Sequence, residues 1–217
     1  MKIKGIGFDI DGTLYNNISM YLCTIPSFLK HPRLLLHYSK ARTEIRKMRP
    51  ISNFRRTQAK LVADSMGISE HDARRIIETR LYEDWVHLFH IIKPLEGLHE
   101  GVAELREAGY KLGVLSDFPV QNKLKFLGLE DWDCSFTSET TNYLKPHPEP
   151  FIELAERLEL KPGEILYVGN SYEKDVLGAA AVGMKTAHLS SRKIRNSKAD
   201  FTFSRYKDLF EYIRNLN

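Results

Sequence analysis

The sequence predicts an α/β protein, a doubly wound parallel sheet interrupted after its first strand by an α-helical insert. Three observations predict it. From about residue 95 onward, short β-rich runs alternate with helical stretches of crossover length. A separate β-rich run, IKGIGFDI at residues 3–10, opens the chain. Between the two, residues 16–93 are helical in pattern almost throughout. The expected division is a sheet domain built from 1–15 and 94–217, with a helical cap at 16–93.

The opening run carries Ile3, Ile6, Phe8 and Ile10, but also Asp9 and Asp11, which an extended strand places on one side. Two like charges that close repel each other and are costly to desolvate, so the pair demands a compensating charge. In the insert, Leu34, Tyr38, Ala41, Ile45 and Met48 recur at helical spacing, as do Phe54, Gln58, Leu61 and Ser65. Ile77, Leu81, Trp85, Leu88 and Ile92 form a third stripe, and these stripes read as the core of a small bundle. Ser69 followed by Asp72 resembles a capping box with Asp in place of Glu. Further on, the runs YKLGVL (110–115), DCSF (133–136), EILYVG (164–169), MKTAHL (184–189) and DFTF (200–203) supply five more strands. Gly109, Gly128 and Gly183 fall just past helical patterns, where a left-handed cap residue is wanted. The first strand is expected in the centre, between those ending at Ser116 and Gly169.

The composition, 42% hydrophobic and 28% charged over 217 residues, is that of an ordinary globular chain, and its net charge of +4 is too mild to indicate nucleic acid. Cys23 and Cys134 form neither a metal-ligand spacing nor a disulfide framework, which suits a reducing compartment. No apolar run reaches the ~18 residues of a membrane span, and Asp9 and Asp11 interrupt what would be the apolar region of a signal peptide. The expectation is a cytoplasmic protein with no membrane or nucleic-acid partner, as a monomer or homodimer. His87 and His90 stand three apart on a helical pattern without a third ligand, and Trp85 and Phe89 read as bundle core.

Four short segments fall at four predicted strand ends: FDIDGTL, VLSD (114–117), YLKPHPEPF (143–151) and YVGNSYEKD (167–175). They hold four aspartates (Asp9, Asp11, Asp117, Asp175), the hydroxyl of Ser116, the ammonium of Lys145 and the amide of Asn170. In open parallel sheets ligands bind beyond the carboxyl ends of the strands, so these segments would share one site, roofed by the insert. Acids gathered there want a hard cation, and Mg²⁺ is held by one or two carboxylates plus waters and substrate phosphate. A cation between Asp9 and Asp175 would relieve the repulsion, with Lys145 adding a second positive charge. Taken singly, each segment has a bland reading: Asp-Gly as a turn, Ser116 and Asp117 as caps for a helix near Pro119, Lys145 as an exposed loop lysine, Asp175 as a surface residue paired with Lys174 or Arg192.

In that order the four segments resemble the motifs of the haloacid dehalogenase-like superfamily, most of whose members are phosphatases. FDIDGTL is similar to the first motif, Ser116 to the second, Lys145 before Pro146 to the third, and Asp175 to the acid of the fourth. The resemblance implies that Asp9 is the nucleophile and Asp11 the acid and base. It implies that Gly12, Thr13, Ser116, Asp117 and Lys145 bind the phosphoryl group, and that Mg²⁺ lies on Asp9, Asp11, Asn170 and Asp175. The family's fourth motif has Gly-Asp where this chain has Gly169-Asn170, so one anionic ligand is replaced by a neutral oxygen. The implied substrate is a small anionic phosphorylated metabolite, because a roofed site excludes macromolecules.

Between residues 30 and 80 thirteen basic residues stand against five acids, a local charge of +8. Most read as a solvated face; those of RPISNFRR (49–56) above all are expected to line the roof and attract an anion. The apolar stretch IPSFLKHPRLLL (25–36) reads as cap core, with an interface or entrance as the alternative. Two other readings of function stand beside the phosphatase. One is a phosphomutase or dehalogenase on the same fold, the latter opposed by Asp11. The other is a binding protein with weakened catalysis, suggested by Asn170 and the basic insert.

Overall fold

A computed structural model of the protein describes residues 2–83 and 91–216; in the first insert helix the side chains of Tyr21, Cys23, Thr24, Pro26, Ser27 and Phe28 lie outside that description. The expectations for Trp85, His87, Leu88, Phe89 and His90 also fall outside the described residues.

Six short strands make one parallel sheet: β1 (Gly5–Phe8), β2 (Lys111–Ser116), β3 (Cys134–Thr137), β4 (Ile165–Gly169), β5 (Lys185–Leu189) and β6 (Phe201–Phe203). The spatial order is β3-β2-β1-β4-β5-β6, so β1 is central between β2 and β4, as the sequence predicts. Phe8 is level with Val114 on one side and Val168 on the other. The carboxyl ends of the three middle strands therefore open onto the same edge.

Alternating side chains serve the two faces of the sheet, as the pleat requires. Ile6, Phe8, Leu112, Val114, Leu166 and Val168 face one way. There they pack against α5 (Leu98–Glu107), α6 (Gln121–Phe126) and α9 (Tyr206–Arg214). Leu115, Phe136, Ile165 and Tyr167 face the other way, against α7 (Pro148–Arg157) and α8 (Leu177–Ala181).

The insert leaves after Tyr15 and returns at Pro94, and these two residues form an isolated antiparallel bridge. It contains α1 (Asn17–Lys30), α2 (Pro32–Ile45), α3 (Phe54–Met66) and α4 (Glu70–Ile77), the last running on into a wide helical turn, Glu78–Glu83. Its core joins Leu34, Tyr38 and Ala41 of α2 to Val62 and Ala63 of α3, and to Ala73, Ile77 and Leu81.

The stripes read from spacing need three corrections. Met48 is 38% exposed because α2 ends at Ile45, before the stripe does. The buried face of α3 is Phe54, Gln58, Ala59, Val62 and Ala63; Leu61 is only half-buried and Ser65 is exposed, so the stripe lies a residue away from the one expected. Ile92 belongs to the sheet's core rather than to the insert. Of the apolar stretch 25–36, Leu34 and Leu35 are buried while Ile25, Leu29 and Leu36 are exposed. Ser69 does cap α4, accepting from the Asp72 amide at 3.0 Å. Its hydroxyl then donates to the Asp72 carboxylate at 2.8 Å, a local variant of the reciprocal box.

Gly101 sits inside α5, where glycine costs about 1 kcal/mol relative to alanine. Packing explains it: a Cβ there would stand 1.8 Å from Cε2 of Phe210 on α9. Gly101→Ala should therefore destabilise the protein by about 1–3 kcal/mol despite its better helix propensity. Urea unfolding of the two proteins measures the difference, and an equal or higher midpoint in the variant would contradict this account of the α5–α9 contact.

Candidate active site

Asp9 is the first residue beyond β1, and its amide donates to the Val168 carbonyl at 2.9 Å, so the sheet itself fixes where it starts. Its carboxylate is buried. Oδ1 accepts from Lys145 Nζ at 2.7 Å and Oδ2 from the Thr13 hydroxyl at 2.8 Å. Lys145 Nζ also lies 2.6 Å from Asp175 Oδ1 and 3.2 Å from the Tyr167 hydroxyl. The remaining oxygen of Asp175 accepts from the Ser171 amide at 2.9 Å.

The ammonium thus bridges Asp9 and Asp175 and supplies one of the two positive charges expected at this pair. Burial alone would lower the Lys145 pKa, but the carboxylates of Asp175 and Asp9 hold it well above the ordinary lysine value. For Asp9 burial is the largest effect and outweighs Lys145; with the charges of Asp175 and Asp11 added, the carboxyl is pushed up to about 7.

Asp11 has its own set of partners. Oδ1 receives Lys123 Nζ at 2.5 Å and the Tyr15 hydroxyl, and Oδ2 the Ser116 hydroxyl at 2.9 Å. Burial pulls its pKa up, but the Lys123 charge and the hydrogen bonds from Lys123, Tyr15 and Ser116 bring it below the ordinary carboxyl value. Two acids at one strand end therefore have opposite environments, because a different lysine is paired with each.

Gly12 turns the chain with φ of +86°, and a Cβ on it would meet the Asn17 and Asn170 amide nitrogens at 2.2 Å each. Thr13 is fully buried, and its amide already donates to the Ile10 carbonyl at 3.0 Å. Its hydroxyl serves Asp9, accepts from the Asn170 amide at 3.1 Å and lies 3.5 Å from Asn170 Oδ1. Thr13 thus ties the first segment to the fourth.

Asp117 behaves differently from its expectation. It caps nothing: α6 begins at Gln121 with no side-chain cap. Its carboxylate accepts from the Ser138 hydroxyl at 2.8 Å, the Lys145 amide at 3.0 Å and Arg46 Nη2 at 2.6 Å. Burial would raise its pKa, but Lys145, Arg46 and Arg42 together hold it well below the ordinary carboxylate range. These contacts make Asp117 a holder of the Lys145 segment rather than a group facing Asp9.

The insert reaches the site through α2. Arg42, buried, donates to Glu139 Oε1 at 2.7 Å, to Gln58 at 3.1 Å, to the Tyr38 hydroxyl at 3.0 Å and to the Asp117 carbonyl. Arg46 adds Nε to the Lys145 carbonyl at 3.1 Å. The basic stretch expected to line the roof points elsewhere. Arg49 pairs with Glu149, while Arg55 and Arg56 sit exposed on α3 opposite Glu78 and Glu70.

Asp9, Asp11, Ser116, Lys145, Asn170 and Asp175 are brought together at one edge of the sheet by these hydrogen bonds. Lys123, Tyr15, Arg42, Arg46 and Glu139 join them without a sequence signal of their own. Lys123 is one of two lysines in QNKLKF, and only the fold turns it inward.

Among the described residues no three acids, histidines or cysteines close into a ready metal cage. A Mg²⁺ site needs only one or two carboxylates, and the groups here are oxygen donors suited to a hard cation. Three buried or half-buried acids, Asp9, Asp11 and Asp175, stand against two ammoniums, and Asp9 still titrates near neutrality. The residues present fit such an ion.

A family model described as haloacid dehalogenase-like hydrolase matches residues 3–183. A protein named pyrophosphatase PpaX from Bacillus cereus is 28% identical, the match covering 100% of this chain and 99% of that one. The PpaX of Bacillus mycoides is 27% identical, with both chains covered completely. A HAD phosphatase from Thermococcus onnurineus has a similar structure, with a TM-score of 0.63, 24% identity and 98% of each chain covered. A 2-haloacid dehalogenase from Pseudomonas syringae gives 0.71 at 20% identity, covering 99% of this chain and 100% of that one.

Asp117→Asn keeps the shape but breaks a largely buried ion pair, which should cost about 3 kcal/mol at pH 7. The native pKa of Asp117 is depressed, so its contribution is complete above the unfolded value near 3.9 and lost as pH falls toward the folded value. The stability gap between wild type and variant should narrow from pH 7 to pH 2.5. Denaturant titrations across that range measure it, and a gap independent of pH would contradict the assignment.

Proposed function

The chain belongs to the haloacid dehalogenase-like hydrolases, and from that premise we propose that it is a phosphatase hydrolysing a small phosphomonoester through an aspartyl-phosphate on Asp9. The observation that carries this reading is the division of lysines at the end of β1: Lys145 on Asp9, Lys123 on Asp11. Two identical side chains are shifted in opposite directions, Asp9 up and Asp11 down, and the reaction asks for two different roles.

Asp9 attacks phosphorus with a carboxylate oxygen, the P–O bond to the leaving group breaks, and an acyl phosphate forms. Lys145, held charged, orients Asp9 and offsets negative charge building on the phosphoryl oxygens. Ser116 and the amide of Gly12 are the nearby groups for those oxygens. Asp11 rests ionised, the form that takes a proton from the water attacking the intermediate. An alkoxide leaving group takes its proton from Asp11 in the protonated form, which the preceding turnover leaves behind when Asp11 removes a proton from the attacking water. The insert, residues 16–93, acts as the cap over this cleft and excludes large substrates. The partner is a small anionic metabolite in the cytoplasm, with no membrane or nucleic acid involved.

Mg²⁺ is the proposed cofactor, held by the Asp9 and Asp175 carboxylates, the Asp11 backbone carbonyl and the Asn170 amide oxygen. When bound it supplies positive charge to the phosphoryl oxygens. Asn170 brings no charge, and one charge pair at ~4 Å is worth about 4 kcal/mol at an effective dielectric near 20 before desolvation. The site is therefore read as weakened rather than dead.

Inorganic pyrophosphate is the second candidate substrate, favoured by the name of the PpaX relatives and by the ionised Asp11. A phosphate leaving group departs with little need of a proton. Dehalogenation is disfavoured by the presence of Asp11 itself. A screen of phosphorylated metabolites and pyrophosphate with Mg²⁺ tests the reading, and no turnover of any of them would sink it.

Asp9→Asn should reduce turnover of a generic phosphate ester by ~10³-fold or more while leaving the protein folded. Steady-state rates and a thermal melt of the same sample check both halves; wild-type turnover in the variant would exclude the aspartyl-phosphate route. Asn170→Asp should lower the Mg²⁺ concentration for half-maximal activity several-fold, provided ~1.4 kcal/mol of the Coulomb gain survives. A Mg²⁺ titration reads it, and an unchanged midpoint would remove Asn170 from the metal.

A further inference from the structure

Gly12 leaves a gap beside the catalytic carboxylates, and two side-chain amides from distant parts of the chain fill it. Asn17 Nδ2 and Asn170 Nδ2 each lie 2.2 Å from the single point where a Gly12 Cβ would stand, so they are separated by no more than twice that. Both are donors, and neither nitrogen has a hydrogen-bond acceptor among the described residues. Both residues are half-buried, so the amides are neither free in solvent nor sealed in the core.

Asn17 is the first residue of α1, yet it does no capping. That role belongs to Asn16, whose Oδ1 accepts from the Ile18 amide at 2.8 Å. Asn170 keeps its other end toward the site, with Oδ1 3.5 Å from the Thr13 hydroxyl that holds Asp9. Two donors that converge without an acceptor want one oxygen between them, and at this place the available oxygens are those of a phosphorylated ligand.

We propose that Asn17 is a substrate-contacting residue supplied by the insert, and that the Asn17 and Asn170 amides form a two-donor seat for a phosphate oxygen above Gly12. This rests on the phosphatase reading and adds to it. The seat is neutral, so it accepts a phosphate oxygen without competing with Lys145 and Lys123 for the carboxylates. It also gives the insert a direct hand in recognition, through a residue next to the linker.

Calorimetric titration of inorganic phosphate into the whole protein with Mg²⁺ present tests the proposal without needing turnover. Asn17→Ala should weaken phosphate binding about tenfold, the size of one hydrogen bond to an anion. Asn17→Asp should weaken it further, because it turns a carboxylate toward the ligand. Alanine and aspartate are both well tolerated in the first turn of a helix, so the melting temperature should hold in both variants. Binding within twofold of wild type in Asn17→Ala would overturn the seat, as would tighter binding or a lower Mg²⁺ requirement in Asn17→Asp, which would put that side chain on a cation. The outcomes separate from the broader reading. Phosphate binding that depends on Asn17 in a protein with no esterase or pyrophosphatase turnover would keep the seat and discard the phosphatase. Turnover that ignores Asn17 would do the reverse.

Discussion

Everything at the open edge of the sheet depends on where one ammonium is held. Lys145 joins Asp9, at the end of β1, to Asp175, beyond the end of β4, with the Tyr167 hydroxyl beneath it. Without that charge the two carboxylates would share a buried pocket and one would have to protonate. With it, both are fixed in direction and the strands carrying them are cross-linked. The lysine is aimed from behind: its amide is held by Asp117 and its carbonyl by Arg46. Lys145 is thus positioned through its own backbone, which leaves its side chain to the two carboxylates.

The same Asp117 carries the strain of a second task, the seating of the helical insert. Arg46 binds its carboxylate, and Arg42 binds its carbonyl while pairing with Glu139 in a buried cluster with Tyr38, Gln58 and Tyr82. Around this polar centre Ile45, Ile51 and Phe54 of the insert pack on Leu144. A buried ion pair adds little net stability over a hydrophobic contact, but misplacing one partner is expensive. Such a joint therefore tolerates one docking position far better than neighbouring ones. The insert and the sheet are in register because the lysine segment contacts both.

Much of this is legible in the sequence, and the limit is physical. Strands announce themselves because parallel strands buried on both faces read as apolar runs, and a run such as EILYVG has few other uses. Asp9 and Ser116 are legible because they stand at the ends of such runs, whereas Lys145 and Asp175 lie in the loops beyond β3 and β4 and are legible only through the motifs they resemble. Lys123, Arg42 and Glu139 are not. Each lies on a helix or turn where nothing in the local sequence marks it, and its inward aim is decided by packing between segments far apart in the chain. Asn17 hides for another reason: beside Asn16 it reads as half of a helix start. The basic insert shows the converse error, since charge density predicted the roof while the side chains that reach it, Arg42 and Arg46, lie one helix earlier than RPISNFRR.

The bridge between Tyr15 and Pro94 bears on how the chain came to have two parts. Because the two linkers touch, with the Leu95 amide on the Leu14 carbonyl at 2.9 Å, the insert leaves and rejoins the sheet domain at one point. Loop-closure entropy grows with the logarithm of length, by about 0.6 kcal/mol per doubling. Lengthening or shortening what lies between those residues leaves the strand order untouched, provided the contacts of Arg42 and Arg46 with Asp117 and the Lys145 carbonyl are kept. Architectures with such a neck can vary the insert away from those contacts while keeping the strand ends, so that one sheet edge can come to face many different surfaces.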